Sequence, residues 1–272
     1  MIHAPAPKVL SVLRTAYSFD GGDFVNVYSA ALAAALDGAK GWLLEWVRIT
    51  DAGVWADAAV RTAGRLVVDA SNLVLFAKTA TANQIVIRYI AGGTTKQVLD
   101  TSLAATTNWF LLGLTWDKAA DEMKAYINGA QVGVTQTGLG TWAGSLNATN
   151  CALGADNTAG ANGHKGLLAH AAVGAGSALT SAQVLAVYNA TVGGMRETIM
   201  SYAPAAYWML AENSGTVAAS ATGASYDGVL GTGAAVPTLG LPGVDTATLE
   251  ALFTRPESQI LHAAYESSVV SA

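Results

Sequence analysis

The chain has 272 residues, with 14 Lys or Arg against 19 Asp or Glu, which gives a formal net charge of -5. Nucleic-acid binding is disfavoured, because neutralising phosphates needs several cations on one face and the sequence has no Lys/Arg cluster. Although 52% of the residues are hydrophobic, no apolar stretch approaches the ~20 residues that span a bilayer, so membrane insertion is not expected.

Residues 1–14 are predicted to form an N-terminal arm, and residues 15–190 a β-sandwich. Short runs rich in Val, Ile, Leu, Thr and aromatic residues are broken by Gly, Asn, Asp and Ser about every 8 to 12 residues, which is the spacing of such a fold. The predicted strands are residues 16–19, 24–27, 41–49, 66–69, 72–78, 84–90, 96–99, 109–116, 123–127, 131–135, 151–154 and 166–173. Between two of them, Asn128-Gly129 is the strongest short hairpin signal.

One helix is predicted after the last strand. Thr180 and Gln183 form a T-x-x-Q capping box, and an apolar stripe follows it at Val184, Leu185, Val187 and Tyr188. This helix is expected to lie across the edge of the sandwich. Residues 244–272 are predicted to be a docking tail, with a second candidate helix at 245–252.

Several segments resemble the laminin G-like and concanavalin A-like jelly-roll family. They are N-W-F-L-L-G-L-T-W-D at 108–117, M-K-A-Y-I-N-G at 123–129, L-G at 153–154, G-L-L-A-H-A-A-V at 166–173 and A-Y-S-F-D-G-G-D-F-V-N-V at 16–27. The signature residues within or beyond these segments are Trp109, Trp116, Asp117, Tyr126, Asn128, Gly129 and Trp208. The resemblance implies an all-β, two-sheet antiparallel jelly-roll sandwich with one or two short peripheral helices.

Residues 191–243 include A-Y-W-M-L-A-E-N-S-G-T at 206–216, which is similar to the opening strand of such domains. In the family this piece precedes the S-F-D-G-G strand, but here it comes about 180 residues after it. The segment therefore either closes its own sandwich, which is the preferred interpretation, or completes the sandwich of a neighbouring subunit.

The sequence does not predict an enzyme. A glycoside hydrolase on this fold needs two carboxylates about 5 to 10 Å apart, and the usual E-x-D-x-x-E strand pattern is absent. Asp121-Glu122 is interpreted as a solvated turn. The four histidines are scattered without zinc-site spacing, and there is no G-x-S-x-G elbow or phosphate-binding loop. The lone Cys151 excludes an intrachain disulfide and is predicted to be a buried thiol.

Two binding features are open to alternative interpretations. The loop with Asp156, Asn157 and Asn162, helped by Asp20 or Asp23, could hold Ca²⁺ weakly, but an Asx-turn joining two strands is the preferred interpretation. No other cofactor is expected. Trp55 and Trp142 lie in loop-like sequence and could stack on a sugar, although capping the end of the sandwich is the simpler role.

The preferred hypothesis is a non-enzymatic structural protein of a bacteriophage virion, either a capsid decoration or a tail component. Only 12% of the residues are charged, so a surface of small uncharged residues would pack against other virion proteins or further copies of the chain. The first residues lack a secretion signal, which is consistent with assembly in a host cytoplasm. The alternative hypothesis is an adhesin that binds a glycan of the host surface.

Overall fold

The computed structural model describes residues 16–191 and 194–241, which form two antiparallel β-sheets packed face to face. This confirms the predicted all-β sandwich. The predicted arms at 1–14 and 244–272, together with the helix predicted at 245–252, lie outside the described residues.

Each sheet contains eight strands in the described part of the chain. In spatial order, sheet A consists of β10 (Ala130–Gln136), β9 (Glu122–Ile127), β8 (Phe110–Asp117), β3 (Lys40–Arg48), β12 (Lys165–Ala175), β1 (Ala16–Asp20) and β16 (Thr238–Leu241), with β13 (Ala206–Trp208) paired to a second stretch of β12. Sheet B consists of β14 (Val217–Ala218), β15 (Gly228–Leu230), β2 (Val25–Asn26), β11 (Ala152–Leu153), β4 (Arg61–Asp69), β5 (Asn72–Lys78), β6 (Ile85–Ala91) and β7 (Thr94–Asp100). The helices are α1 (Ala30–Ala35), α2 (Ser181–Asn189) and α3 (Met195–Met200).

Alternation along the strands builds the inner core between the sheets. On β9, Met123, Ala125 and Ile127 are buried in this core, because successive strand residues point to opposite faces. The intervening Lys124 and Tyr126 lie on the outer face of sheet A. Sheet B contributes in the same way, with every second residue of β5 and β6 pointing inward.

The outer face of sheet A is also covered. Here Trp42 and Trp46 of β3 are buried in a second apolar cluster that includes Val184 and Val187 of α2 and Ile199 of α3. The prediction that α2 lies across the sandwich edge is therefore corrected. Its apolar stripe packs onto the outer face of the sheet, because that face carries large apolar side chains that need a cover.

Two local predictions are confirmed in detail. Asn128 and Gly129 form a two-residue turn with φ values of 52° and 80°, which joins β9 to β10 in the register Ile127 to Ala130. Asn128 also ties the turn to β8, since its Oδ1 accepts a hydrogen bond of 3.0 Å from the backbone N–H of Leu111. At α2 the capping box is complete in both directions.

Some elements differ from the prediction. Strand β4 begins at Arg61 rather than at Leu66, because two register irregularities and Gly64 disguise its alternation in the sequence. Helix α1 is alanine-rich and shows no amphipathic pattern; Ser29 caps it by accepting a hydrogen bond from the backbone N–H of Leu32. No sequence pattern predicts α3 either.

The C-terminal strands pair with the same chain in the structure. Tyr207 of β13 pairs with Ala172 of β12, and Val229 of β15 pairs with Asn26 of β2. Residues 206–241 therefore add strands to both sheets. Exchange of these strands with a neighbouring subunit stays the alternative interpretation. No helix in the described ranges 16–191 and 194–241 is long and apolar enough to cross a membrane.

Candidate functional site

The two tryptophans that could contact a glycan are buried. Trp55 is fully buried, and its indole N–H donates a hydrogen bond of 2.7 Å to the backbone carbonyl of Thr106. Trp142 is only 9% exposed and stacks on Tyr89, with 6.0 Å between the ring centroids. Neither ring presents a face to solvent, so the expectation of glycan contacts at Trp55 and Trp142 is corrected: both side chains belong to the inner core.

The loop proposed for Ca²⁺ uses its oxygens for hydrogen bonds within the protein. The two carboxylate oxygens of Asp156 accept hydrogen bonds of 2.6 Å, one from the Thr62 hydroxyl and one from the Asn162 side-chain amide. Arg65 lies 3.8 Å from the same carboxylate. The side-chain oxygen of Asn157 accepts hydrogen bonds from two backbone N–H groups later in the loop, in the Asx-turn manner.

The other two suggested Ca²⁺ ligands, Asp20 and Asp23, also accept hydrogen bonds within the protein. Asp23 is buried and accepts a hydrogen bond of 2.8 Å from the backbone N–H of Asp20, whose own carboxylate accepts one from the backbone N–H of Gly22. Within residues 16–191 and 194–241, no three His, Cys, Asp or Glu side chains are arranged to hold a metal ion. The Ca²⁺ site stays a prediction without geometric support in this part of the chain.

The tryptophans and cysteine singled out in the sequence are structural. Trp116 and Trp208 are buried in the inner core, whereas Trp109 is buried on the outer face of sheet A. Cys151 is a buried free thiol, and burial raises its pKa to about 11. His170 contacts the Tyr207 hydroxyl through Nδ1 at 2.5 Å. These residues hold the sandwich together and do not gather at one site.

An open groove lies elsewhere, on the outer face of sheet A. Its volume is about 330 Å³, and it runs between strands β8 and β9 and the segment that leads into α2. The lining residues are Thr115, Trp116, Asp117, Glu122, Lys124, Tyr126, Ala178, Leu179, Thr180 and Ser181.

Strand alternation and the helix cap position these groups. The outward residues of β8 and β9 are paired across the two strands, Thr115 with Lys124 and Asp117 with Glu122. On the opposite wall, the capping box fixes the start of α2, and the Tyr126 hydroxyl lies 3.2 Å from that of Ser181. The charged residues of the lining are half-buried, and Thr180 and Ser181 are exposed; the buried members are Thr115, Trp116, Tyr126 and Leu179.

Two ion pairs set the electrostatics of the groove. Lys40 lies 2.7 Å from Asp117, and its hydrogen bond holds the pKa of that carboxyl below its usual value. Glu122 lies 2.5 Å from Lys124 and raises the pKa of the ammonium group. The groove therefore presents carboxylate oxygens and ammonium N–H groups side by side, together with neutral hydroxyls.

The pKa shift of Asp117 is opposite to that of a catalytic acid. Glycoside hydrolysis needs a general acid, which is a carboxyl group whose pKa is raised. Asp117 shows the opposite shift, since its pKa is lowered by Lys40. Glu122 is engaged by Lys124. The two carboxylates can accept hydrogen bonds from hydroxyl groups, which is the chemistry of sugar recognition.

The chain belongs to the concanavalin A-like lectin/glucanases superfamily. Residues 23–185 match the laminin G-like family that carries this description. The match covers the hairpin, both strands of the groove and most of α2. None of the curated proteins matches the chain.

Solved structures share the fold at low sequence identity. A candidate carbohydrate-binding protein from Bacteroides ovatus has a TM-score of 0.57 at 14% identity, over 86% of this chain and 62% of that one. A serum amyloid P-like pentraxin from Limulus polyphemus (TM-score 0.48, 13% identity, 65% of this chain and 82% of that one) and a sialidase carbohydrate-binding module, CBM40, from Ruminococcus gnavus (0.49, 13%, 64% and 97%) are also similar. The chain shares the sandwich fold of the Bacteroides protein and spans 62% of that protein's length.

The groove was not predicted from the sequence. The sequence marks Asp117 and Tyr126 only as fold signature residues and Thr180 only as a helix cap. The interpretation of Glu122 as part of a solvated turn is corrected, because Glu122 begins strand β9 and pairs with Asp117. The one available signal was the outward position of Lys124 and Tyr126 on β9. That signal does not reveal that residues 178–181, more than 50 residues later, form the opposite wall.

Proposed function

We propose that the protein is a non-catalytic, lectin-like module that binds a glycan in the groove between β8, β9 and the start of α2. The observation that carries the proposal is the lining of this groove, where two carboxylates, an ammonium group and several hydroxyls surround a space of about 330 Å³. That size lies within the range typical of small-molecule sites. Membership of a superfamily that includes lectins supports the same function.

The proposal assigns a role to each part of the lining. Asp117 and Glu122 accept hydrogen bonds from sugar hydroxyls, and Lys124 donates to sugar oxygens. The groove binds a glycan without cleaving it, because the lowered pKa of Asp117 makes this carboxyl a poor general acid.

A glycan array probed with the purified full chain tests the function. We expect the wild type to retain a defined subset of glycans and Lys124→Ala to lose about 90% or more of that signal, because a charged hydrogen bond contributes about 1.5–3 kcal/mol. The matched control is Lys165→Ala, which removes an exposed lysine from β12 outside the groove. Absence of retention by the wild type, or equal loss in both variants, would contradict the proposal.

The sequence-based hypothesis of a virion structural protein stays a prediction, as do the virion partners and location. The observation behind it is the low content of charged residues, 12%. The two functions are compatible, since an assembly block can carry a glycan-binding groove. A defined oligomer in light scattering would support the assembly role, and dependence of glycan retention on added Ca²⁺ would support the Ca²⁺ prediction.

A further inference from the structure

The outer face of sheet B, on the opposite side of the molecule from the groove, carries two arginines in one row. Register pairs Arg65 of β4 with Leu75 of β5, Leu75 with Arg88 of β6, and Arg88 with Gln97 of β7. The row faces outward, because each of the four residues has at least one strand neighbour in the inner core: Leu66, Val74, Phe76, Ile87, Tyr89 and Val98. Because two strand spacings separate them, the Cα atoms of the two arginines are about 10 Å apart.

The hydrogen-bonding capacity of the two guanidinium groups is largely unused. Arg88 donates one hydrogen bond, from Nε to the side-chain oxygen of Gln97 at 2.8 Å, and has no ion-pair partner among the described residues. Arg65 donates from Nη1 to the backbone carbonyl of Asp156 at 3.1 Å, and the nearest carboxylate oxygen, also of Asp156, is 3.8 Å away. The Nε of Arg65 is buried and has no hydrogen-bond partner in the described part of the chain.

Apolar side chains surround the pair. They form a small buried cluster on this face: Val67, Leu73, Leu75, Ala77 and Val86. The pKa of Arg88 is lowered, mainly by burial and to a smaller extent by the positive charge of Arg65. Asp156 is the ion-pair partner of Arg65, whereas Arg88 has none among the described residues, so the Arg88 charge beside an apolar surface is costly unless a further anion binds there.

We propose that Arg65, Arg88 and Gln97 form an oxyanion site on the outer face of sheet B, and that its ligand is the carboxylate of an acidic sugar. Two guanidinium forks suit a carboxylate because each offers parallel N–H donors. The apolar cluster beside them fits the C–H face of a sugar ring. A nucleic acid is a poorer fit, since two arginines are fewer cations than a phosphate backbone requires.

The anion preference stands on the arginines alone, whereas the sugar class rests on the proposed glycan-binding function. The site and the groove lie on opposite faces of the sandwich and share no residue. A substitution at one site therefore leaves the other intact, and the two proposals can fail separately.

Titration of the full chain with D-glucuronate, followed by NMR of the arginine side-chain N–H signals, tests the site. We expect Arg88→Gln and Arg65→Gln each to weaken glucuronate binding at least about tenfold, since each removes a charged hydrogen-bond donor. Lys96→Gln is the charge-matched control: Lys96 is on the neighbouring strand but pairs with the inward-facing Tyr89, and its substitution should leave binding unchanged. The conservative Arg88→Lys variant should keep the fold and still bind more weakly than the wild type.

Three results would overturn the proposal. Methyl glucoside lacks the carboxylate. If it binds as tightly as glucuronate, the site does not recognise an anion. Sulfate binding as tightly as glucuronate would show a site for free oxyanions instead of acidic sugars. Unchanged binding in folded Arg88→Gln would place the ligand elsewhere. If glucuronate binds as expected while Lys124→Ala leaves the glycan array unchanged, the proposal for the groove is wrong and the proposal for the arginine site is supported.

Discussion

Glu45 gives the sharpest physical prediction, because it is a carboxyl group inside the inner core. It is fully buried on β3, points toward Gly64 and Leu153 of sheet B, and neither carboxyl oxygen has a hydrogen-bond partner among the described residues. Burial raises its pKa to about 8, from an ordinary value of 4.5. The folded protein therefore holds a neutral Glu45 at pH 7, whereas the unfolded chain releases the proton.

The sign of the effect follows from this difference. A carboxyl whose pKa is raised by folding contributes its full stability below pH ~4.5 and loses it as the pH rises toward 8. Each pH unit between these values removes about 1.4 kcal/mol from the free energy of unfolding. The loss amounts to about 3 kcal/mol at pH 7 and about 5 kcal/mol above pH 8.

Glu45→Gln replaces the neutral acid with a side chain of nearly the same shape that does not ionise. We expect the variant and the wild type to have similar unfolding free energies near pH 4.5, and the variant to be about 3 kcal/mol more stable at pH 7. Urea unfolding at several pH values between 4.5 and 8 measures this difference. His164, whose pKa is lowered by burial to about 4, is present in both proteins, so its titration cancels.

The control is Glu197→Gln, which makes the same substitution at an exposed position of α3. A stability difference between Glu45→Gln and the wild type that stays constant from pH 4.5 to pH 8 would refute the reasoning. It would mean that Glu45 ionises in the folded protein as readily as in the unfolded chain.

Two further predictions concern stability. Burial alone would raise the pKa of Asp57, but hydrogen bonds, led by that from Lys78, lower it to about 2; Asp57→Asn should cost about 3 kcal/mol in urea unfolding at neutral pH, because the ammonium of Lys78 is buried. This cost should shrink as the pH falls toward 2, and a cost that does not change with pH would contradict the assignment. Gly174→Ala would place a Cβ 1.9 Å from the indole nitrogen of buried Trp42 and should lower the unfolding free energy by about 2 kcal/mol or more. Calorimetric unfolding of this variant is compared with that of Gly22→Ala, whose Cβ would meet nothing closer than 3.8 Å. Equal losses of stability in the two variants would contradict the packing argument.

Features encoded by neighbouring residues could be predicted from the sequence. The turn at Asn128 and Gly129 and the capping box at Thr180 each depend on residues within a few positions, and the structure contains both. Strand positions could be predicted for the same reason, since alternation is local. Helix α1 could not, because its cap at Ser29 is followed by alanines that show no periodicity.

Burial and site formation depend on contacts between distant residues. Trp55 and Trp142 lie in loop-like sequence, yet tertiary packing buries both. The groove lies between β8, β9 and residues 178–181, and no local sequence pattern predicts that these segments are close together. The pair Arg65 and Arg88 becomes visible only once the registers of β4, β5 and β6 are known.

The central claim is that the groove binds a glycan, and a substitution that fills the groove tests it most directly. Ala178 lines the groove, whereas Ala186 is exposed on α2 outside it. Isothermal titration calorimetry with the uncharged glycan retained most strongly on the array, which the arginine site does not bind, compares the wild type, Ala178→Trp and Ala186→Trp. We predict that Ala178→Trp abolishes the binding heat and that Ala186→Trp binds like the wild type. Undiminished binding by a folded Ala178→Trp protein would contradict the account.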